Sequence, residues 1–136
     1  MSYLVDTDVV IWYLRRRAAE RALLDGLAPQ GLAVSLITYG EVFEGIYFGR
    51  DPQADEHAFR SFLSAVRVLP LDESIMERFA RLRGQLRRGG LIISDPDLLI
   101  AATALHHTLM LLTGNVQHFA RVPGLEILPP PGAPTG

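Results

Sequence analysis

This sequence lacks two residue types on which many enzymes depend, and it also lacks a long apolar segment. It has no cysteine, which excludes a disulfide framework, a thiol nucleophile and a cysteine-ligated metal site. All 13 basic residues are arginine, so phosphate sites and Schiff-base chemistry that need a lysine are also excluded. No apolar run approaches the roughly 20 residues of a membrane span, and no secretory signal precedes the first apolar segment. We therefore expect a soluble cytoplasmic protein.

Charge and length set further limits on the protein. The formal net charge of −2 provides no general electrostatic attraction to nucleic acid. A chain of 136 residues is long enough for one domain with its own hydrophobic core. We expect this domain to occupy residues 1–128, and we expect the proline- and glycine-rich segment 129–136 to be a disordered tail.

Short apolar segments alternate with helical segments along the whole chain. The predicted strands are 3–6, 32–35, 66–69, 109–113 and 125–128. The predicted helices are 9–15, 18–27, 36–48, 51–65 and 73–88, one that opens near residue 96, and a short one that ends near residue 119. This alternation predicts an α/β sandwich with a mainly parallel sheet flanked by helices.

Asp97 lies in the first turn of the most apolar of these helices. We expect Asp95 to cap this helix and Pro96 to occupy its first position. From Leu98 onward the residues are apolar nearly all round, which predicts burial on more than one side. The helix dipole alone could explain an acid in the first turn. A second aspartate in an equally apolar setting, Asp6 at the end of the first strand, favours a functional site instead.

Four polar residues are expected to meet at one edge of the sheet, where sites gather in folds of this class. Asp6 ends the first strand, and Glu41 follows the second. Asn115 follows the fourth strand, and Asp97 opens the helix that leads into it. Carboxylates that lie together without a lysine are costly to bury in the ionised state. A divalent cation, Mg²⁺ or Mn²⁺, would resolve this conflict and could activate water for attack on a phosphodiester.

Other interpretations stay open for several neighbouring residues. Glu41 also matches a capping box that begins at Thr38, and Glu44 is a rival acid on an adjacent face of the same helix. Either Thr7 or Asp8 could cap the first helix, and for Asp8 we favour a capping or supporting role over direct metal binding.

Two basic features have simpler explanations than a site. His118 is more typical of a packed loop residue than of a metal ligand. The arginine run 15–17 is more typical of a solvated helix end than of phosphate contact.

Four segments of the chain, taken in order, resemble a known family. They are Leu4-Val5-Asp6-Thr7-Asp8, the helix bearing Glu41, residues 97–105, and residues 113–119 with 122–125. They resemble the PIN-domain ribonuclease family, and specifically the VapC-type toxins of bacterial toxin–antitoxin pairs. The resemblance implies a parallel five-stranded sheet of order 3-2-1-4-5. It also implies a magnesium- or manganese-dependent endoribonuclease that inhibits translation or growth.

The resemblance also assigns site residues and partners. The acids of the family, which hold the metal ion, fall on Asp6, Glu41 and Asp97. The fourth catalytic position, often aspartate, is Asn115 here, and Gly114 stands where a larger polar or basic residue is common. A homodimer restrained by a small antitoxin protein is expected. We predict apolar surface for its interfaces at residues 46–48 and at positions 59, 62 and 63.

Two other functions compete with the ribonuclease interpretation. The motif Asp6-Thr7-Asp8 after an apolar strand also imitates haloacid-dehalogenase-type phosphatases. Those enzymes commonly use a later lysine and a later acidic pair, and neither is apparent in this sequence. The non-enzymatic alternative is a PIN-like module that binds RNA and does not cut it.

Overall fold

The computed structural model describes residues 2–131, which form a single five-stranded sheet of order β3-β2-β1-β4-β5. The strands are β1 (Tyr3–Val5), β2 (Leu32–Ser35), β3 (Arg67–Leu69), β4 (Met110–Leu112) and β5 (Ile127–Leu128). Every neighbouring pair of strands is parallel, so the predicted fold class and strand order are confirmed. Of the predicted tail, residues 132–136 lie outside the described residues; Pro130 is buried.

Seven α-helices connect the strands within the described range. They are α1 (Thr7–Leu14), α2 (Ala18–Leu27), α3 (Leu36–Tyr47), α4 (Pro52–Leu63), α5 (Glu73–Arg88), α6 (Asp95–His106) and α7 (Val116–Phe119). A short 3-10 helix, Ala28–Gln30, follows α2. Between residues 2 and 131, no helix combines the length and the apolar character that crossing a lipid bilayer requires.

The sheet separates two hydrophobic cores, because successive side chains of a strand point to opposite faces. Leu4 and Leu111 face a core that is covered by α5 and α6. Val5 and Leu112 face a second core, which is covered by α1, α2, α3 and α4. The molecule is therefore a three-layer sandwich. Its central strand, β1, is enclosed on both faces and delivers Asp6 at its carboxyl end.

The start of α1 differs from the prediction by two residues. The carboxylate of Asp6 is the cap: its Oδ1 accepts the backbone N–H of Thr7 at 2.8 Å, so neither Thr7 nor Asp8 is the capping residue. The helix consequently begins directly after the strand. This short connection fixes Asp6 at the junction between β1 and α1.

The start of α6 also differs from the prediction. Ser94 is the capping residue, and its hydroxyl accepts the backbone N–H of Asp97 at 3.4 Å. Asp95 therefore does not cap the helix but belongs to its first turn, where it is paired with Arg83. Pro96 moves from the first to the second helical position. The predicted burial of this helix on more than one side is confirmed, because residues 100–104 are all buried.

The core absorbs three of the six apolar residues that we predicted to form interfaces, and Leu63 is half-buried against it. Ile46, Phe59 and Phe62 are buried, so the prediction of apolar surface was wrong at these positions. The physical reason is aromatic packing: the inner face of α4 places its rings against aromatic rings of α1 and α3. Tyr47 and Phe48 stay exposed, at 60% and 88% of their surface.

Candidate active site

Asp6 is held in place by two neighbours at the carboxyl edge of the sheet. Its side chain is 5% exposed. Besides the Thr7 N–H on Oδ1, its Oδ2 accepts the hydroxyl of Thr113 at 2.7 Å. Val5 and Leu112 are partners in the parallel register of β1 and β4, so Asp6 and Thr113 are the next residues of the two strands. The sheet register therefore sets this contact.

The electrostatics of the site are dominated by negative charge. Burial is the main reason that the pKa of Asp6 rises to about 7, and the nearby charge of Asp8 is the second reason. The Thr113 and Thr7 hydrogen bonds oppose this rise, and Asp97 adds to it. Burial also raises the pKa of Asp8, with a further contribution from Asp97. Among the described residues no arginine is ion-paired with any of these three aspartates, so no arginine offsets their negative charge.

Asp8 supports the loop that follows β4. Its Oδ1 accepts the N–H of Val9 at 2.7 Å, and its Oδ2 accepts the N–H of Gly114 at 3.1 Å. A Cβ atom at Gly114 would lie 2.6 Å from the ring of Trp12 and 3.0 Å from Oδ2 of Asp8. Only glycine permits this close approach. The space of a side chain at this position is thus filled by the indole of Trp12.

Glu41 reaches the site through Thr7. The Thr7 hydroxyl is 2.6 Å from Oε1 of Glu41, to which it donates, and 3.0 Å from the hydroxyl of Thr38. The capping-box interpretation of Glu41 was wrong, because Ser35 caps α3 and Glu41 lies in its second turn. Both Glu41 and the rival acid, Glu44, are exposed, so the contact with Thr7 and not burial marks out Glu41.

Asp97 is half-buried in the first turn of α6 and lies beside a histidine. Its Oδ2 is 3.0 Å from Nε2 of His118, an ion-pair distance without hydrogen-bond geometry. The sequence favoured packing over metal binding for His118, and it did not predict this contact with a site aspartate. The two residues are far apart in the sequence, and only the tertiary fold brings them together.

Asn115 is joined to the acids through its backbone. The residue is exposed immediately before α7, and its N–H donates to Oγ1 of Thr113 at 3.0 Å. This is the same hydroxyl that donates to Asp6. Sequence reasoning missed Thr113 and Thr7 as parts of the site. A signal existed for Thr113, because it directly follows β4 as Asp6 directly follows β1.

The side chains at this edge fit a divalent cation. The aspartates supply oxygen ligands, and their mutual repulsion is the conflict that a cation removes. Between residues 2 and 131, no group of three or more acidic or histidine side chains is arranged to hold a metal ion by itself. Magnesium suits an incomplete set, because it keeps several waters and typically takes one or two carboxylates from the protein.

Comparison with known proteins agrees with this geometry. Residues 3–125 match the PIN domain family. The chain is 34% identical over 126 residues to ribonuclease VapC1 from Methanocaldococcus jannaschii, a match that covers 91% of this chain and 85% of that protein.

Two solved structures are similar to the whole fold. A chain in the crystal structure of VapBC2 from Rickettsia felis, bound to a DNA fragment from their promoter, aligns with a TM-score of 0.90 at 26% identity, covering 95% of this chain and 98% of that one. A chain in a toxin–antitoxin complex from Klebsiella pneumoniae aligns with a TM-score of 0.74 at 32% identity, covering 93% and 95%. The chain belongs to the PIN domain family and, within it, to the VapC ribonucleases.

Proposed function

We propose that this protein is a metal-dependent endoribonuclease toxin, which hydrolyses phosphodiester bonds of RNA and thereby inhibits translation or growth. The observation that carries the proposal is Asp6, a buried carboxylate whose pKa rises to about 7 beside two further aspartates. Such an arrangement is costly for stability and is typical of functional sites. The ribonuclease relatives support RNA as the substrate class.

The proposed metal ligands are Asp6 and Asp97, with Glu41 completing or supporting the site, and the proposed ion is Mg²⁺ or Mn²⁺. An ion bound there would neutralise charge that develops on the phosphate and activate a water for attack. The protein supplies the positioning. Thr113 fixes the orientation of the Asp6 carboxylate, and Thr7 orients that of Glu41.

Asn115 is the fourth proposed catalytic residue. Its backbone is tied to Thr113, and its side chain is exposed at the opening of the site. From there an amide could donate to a phosphate oxygen of the substrate. His118, at 3.0 Å from the Asp97 carboxylate, is proposed to limit the orientations that Asp97 can adopt.

The function is tested by incubating the purified protein with total RNA and mapping new 5′ ends. We expect defined new ends in MgCl₂ or MnCl₂ and none in EDTA. RNA that is bound but uncut under both conditions would contradict the enzyme and favour the silent binding module. Hydrolysis of p-nitrophenyl phosphate, with RNA left intact, would instead favour the phosphatase alternative.

We also infer that the protein acts in the cytoplasm as a homodimer restrained by a small antitoxin protein. The Klebsiella pneumoniae chain of similar fold belongs to a toxin–antitoxin complex. Tyr47 and Phe48 expose large rings at the end of α3, and such rings favour an interface. An antitoxin arginine that reached the acids would supply the missing positive charge and exclude the substrate.

Expression of the chain alone should slow growth, and co-expression with the adjacent small open reading frame should restore it. Light scattering of the purified protein should give the mass of a dimer, and Phe48→Ser should shift that mass toward a monomer. Harmless expression of the intact chain would contradict the toxin. A monomeric wild-type protein would contradict the dimer alone.

A further inference from the structure

Arg17 is held in one position although it lies at the protein surface. Its side chain is 53% exposed, and its Nε atom lies 2.8 Å from Oε1 of Glu20. Its guanidinium carbon lies 4.7 Å from the ring centre of Trp12. Stacking on the indole and the ion pair with Glu20 together restrict the rotamers that a free arginine would explore.

Glu20 is an unusual partner for a surface arginine, because it is itself only 1% exposed. Its Oε2 has no hydrogen-bond partner among residues 2–131. Burying a carboxylate with one unpaired oxygen costs free energy, and a pair with one exposed member recovers little of it. Stability alone therefore does not account for the arrangement. Holding the guanidinium in a fixed direction does account for it.

Trp12 connects this arginine to the acids. One edge of its ring packs against Gly114, so closely that no Cβ atom fits between them. The N–H of Gly114 in turn donates to Oδ2 of Asp8 at 3.1 Å. The indole of Trp12 therefore lies between the guanidinium of Arg17 and Gly114, whose N–H is bound by the site residue Asp8.

The position suits recognition of a polyanion. RNA is repelled by the aspartates, so a substrate strand needs positive charge close to them. Because Nε is the atom that faces Glu20, the two terminal amino groups of Arg17 remain at the exposed end of the side chain. Their planar fork matches two oxygens of a phosphate group.

We propose that Arg17 binds a phosphate of the RNA strand next to the scissile bond, and that Trp12 and Glu20 position it for this contact. The inference rests on the proposed ribonuclease function and adds a substrate-binding residue to that site. In the structural alternative, Arg17 and Glu20 form a pair three residues apart that stabilises only the start of α2.

The chain offers a closely matched control in Arg60. Its Nε is 2.7 Å from Glu56, its guanidinium lies 5.1 Å from the ring centre of Phe43, and its side chain is 56% exposed. This arginine lies on α4 and is not paired with any of the site aspartates. Arg17→Ala and Arg60→Ala therefore remove the same kind of stacked, ion-paired arginine from two different surfaces.

Two measurements separate RNA binding from stability. The first is fluorescence anisotropy with a labelled single-stranded RNA of about 12 nucleotides, in EDTA, at several salt concentrations. Arg17→Ala should weaken binding about tenfold and lower the slope of log K against log salt by about 0.7, the value for one phosphate contact on a single strand. Arg17→Lys should restore the slope, and Arg60→Ala should leave both quantities unchanged.

The second measurement is steady-state cleavage of RNA in MgCl₂. Arg17→Ala should raise KM about tenfold with kcat within about twofold of the wild-type value. Glu20→Gln should raise KM by a smaller factor, and it should have no further effect when Arg17 is already alanine.

Equal KM values and equal salt slopes for Arg17→Ala and Arg60→Ala would overturn the proposal, even if the Arg17 variant melts at a lower temperature. Wild-type protein that neither binds nor cuts RNA would contradict the proposed function itself. The two failures are therefore distinguishable.

Discussion

Asp6→Asn and Asp97→Asn should each abolish magnesium-dependent cleavage of RNA, with a loss of more than about 100-fold in kcat/KM. A loss of 10- to 100-fold is typical for residues that only orient a metal ligand, so removal of a ligand should cost more. The substitution keeps the size of the side chain but removes the charge that would hold the ion. New 5′ ends in total RNA, counted at several Mg²⁺ concentrations, provide the measurement.

The ranking of the two glutamates supplies a control within the same assay. Glu41 and Glu44 are both exposed on α3, but Glu41 accepts a hydrogen bond from Thr7, the residue next to Asp6. Glu41→Gln should therefore lower activity, and Glu44→Gln should leave it near the wild-type value. Full activity of Asp6→Asn or Asp97→Asn would remove these aspartates from the mechanism. A greater loss from Glu44→Gln than from Glu41→Gln would reverse the order of the glutamates.

Asp6→Asn should also make the metal-free protein more stable at pH 8. The pKa of Asp6 is near 3.8 in an unfolded chain and about 7 in the folded protein. Because the folded value is raised, Asp6 favours folding only while it is protonated. This contribution is complete below about pH 4, declines as the pH rises, and is lost above about pH 7. An asparagine is neutral throughout and avoids the loss.

The expected gain at pH 8 is at most about 4 kcal/mol, since each pKa unit corresponds to about 1.4 kcal/mol. At roughly 3 °C per kcal/mol for a domain of this size, the melting temperature should rise by up to about 12 °C. Thermal unfolding in EDTA between pH 4 and pH 8 measures this difference, which should shrink toward pH 4.

Magnesium provides the complementary test of the same carboxylate. Added MgCl₂ should stabilise the wild-type protein at pH 8, because a ligand that binds only the folded state raises its stability. The Asp6→Asn variant should respond much less, and Glu44→Gln should respond as the wild type does. Identical melting curves for wild type and Asp6→Asn at pH 8 would show that the ionised Asp6 carboxylate does not destabilise the folded protein.

Much of the fold could be predicted from local patterns in the sequence. The bounds of α2, β2 and α5 agree with the prediction residue for residue. Asp72 caps α5, and a turn at 28–31 separates α2 from β2, although no side chain caps the start of α2. The starts of α1 and α6 were misplaced by one or two residues, since several adjacent side chains could act as caps. Only the surrounding packing decides which of them does.

The sequence by itself determined the succession of strands and helices along the chain and the parallel sheet. It also singled out Asp6 and Asp97 as candidate site residues. These features depend on hydrophobic periodicity and on residues close together in the chain. The tertiary structure alone decided that Thr113 holds Asp6, that Thr7 joins Glu41 to the site and that His118 lies beside Asp97.

The tertiary structure also decided which apolar and charged side chains remain available at the surface. It buried Phe59 and Phe62, which the sequence alone left as possible surface residues. It also placed Trp12 in the space beside Gly114, where it supports Arg17. The physical reason is the same in each case: these contacts join residues from different helices and strands. Such contacts depend on sheet register and helix packing, which local sequence patterns do not specify.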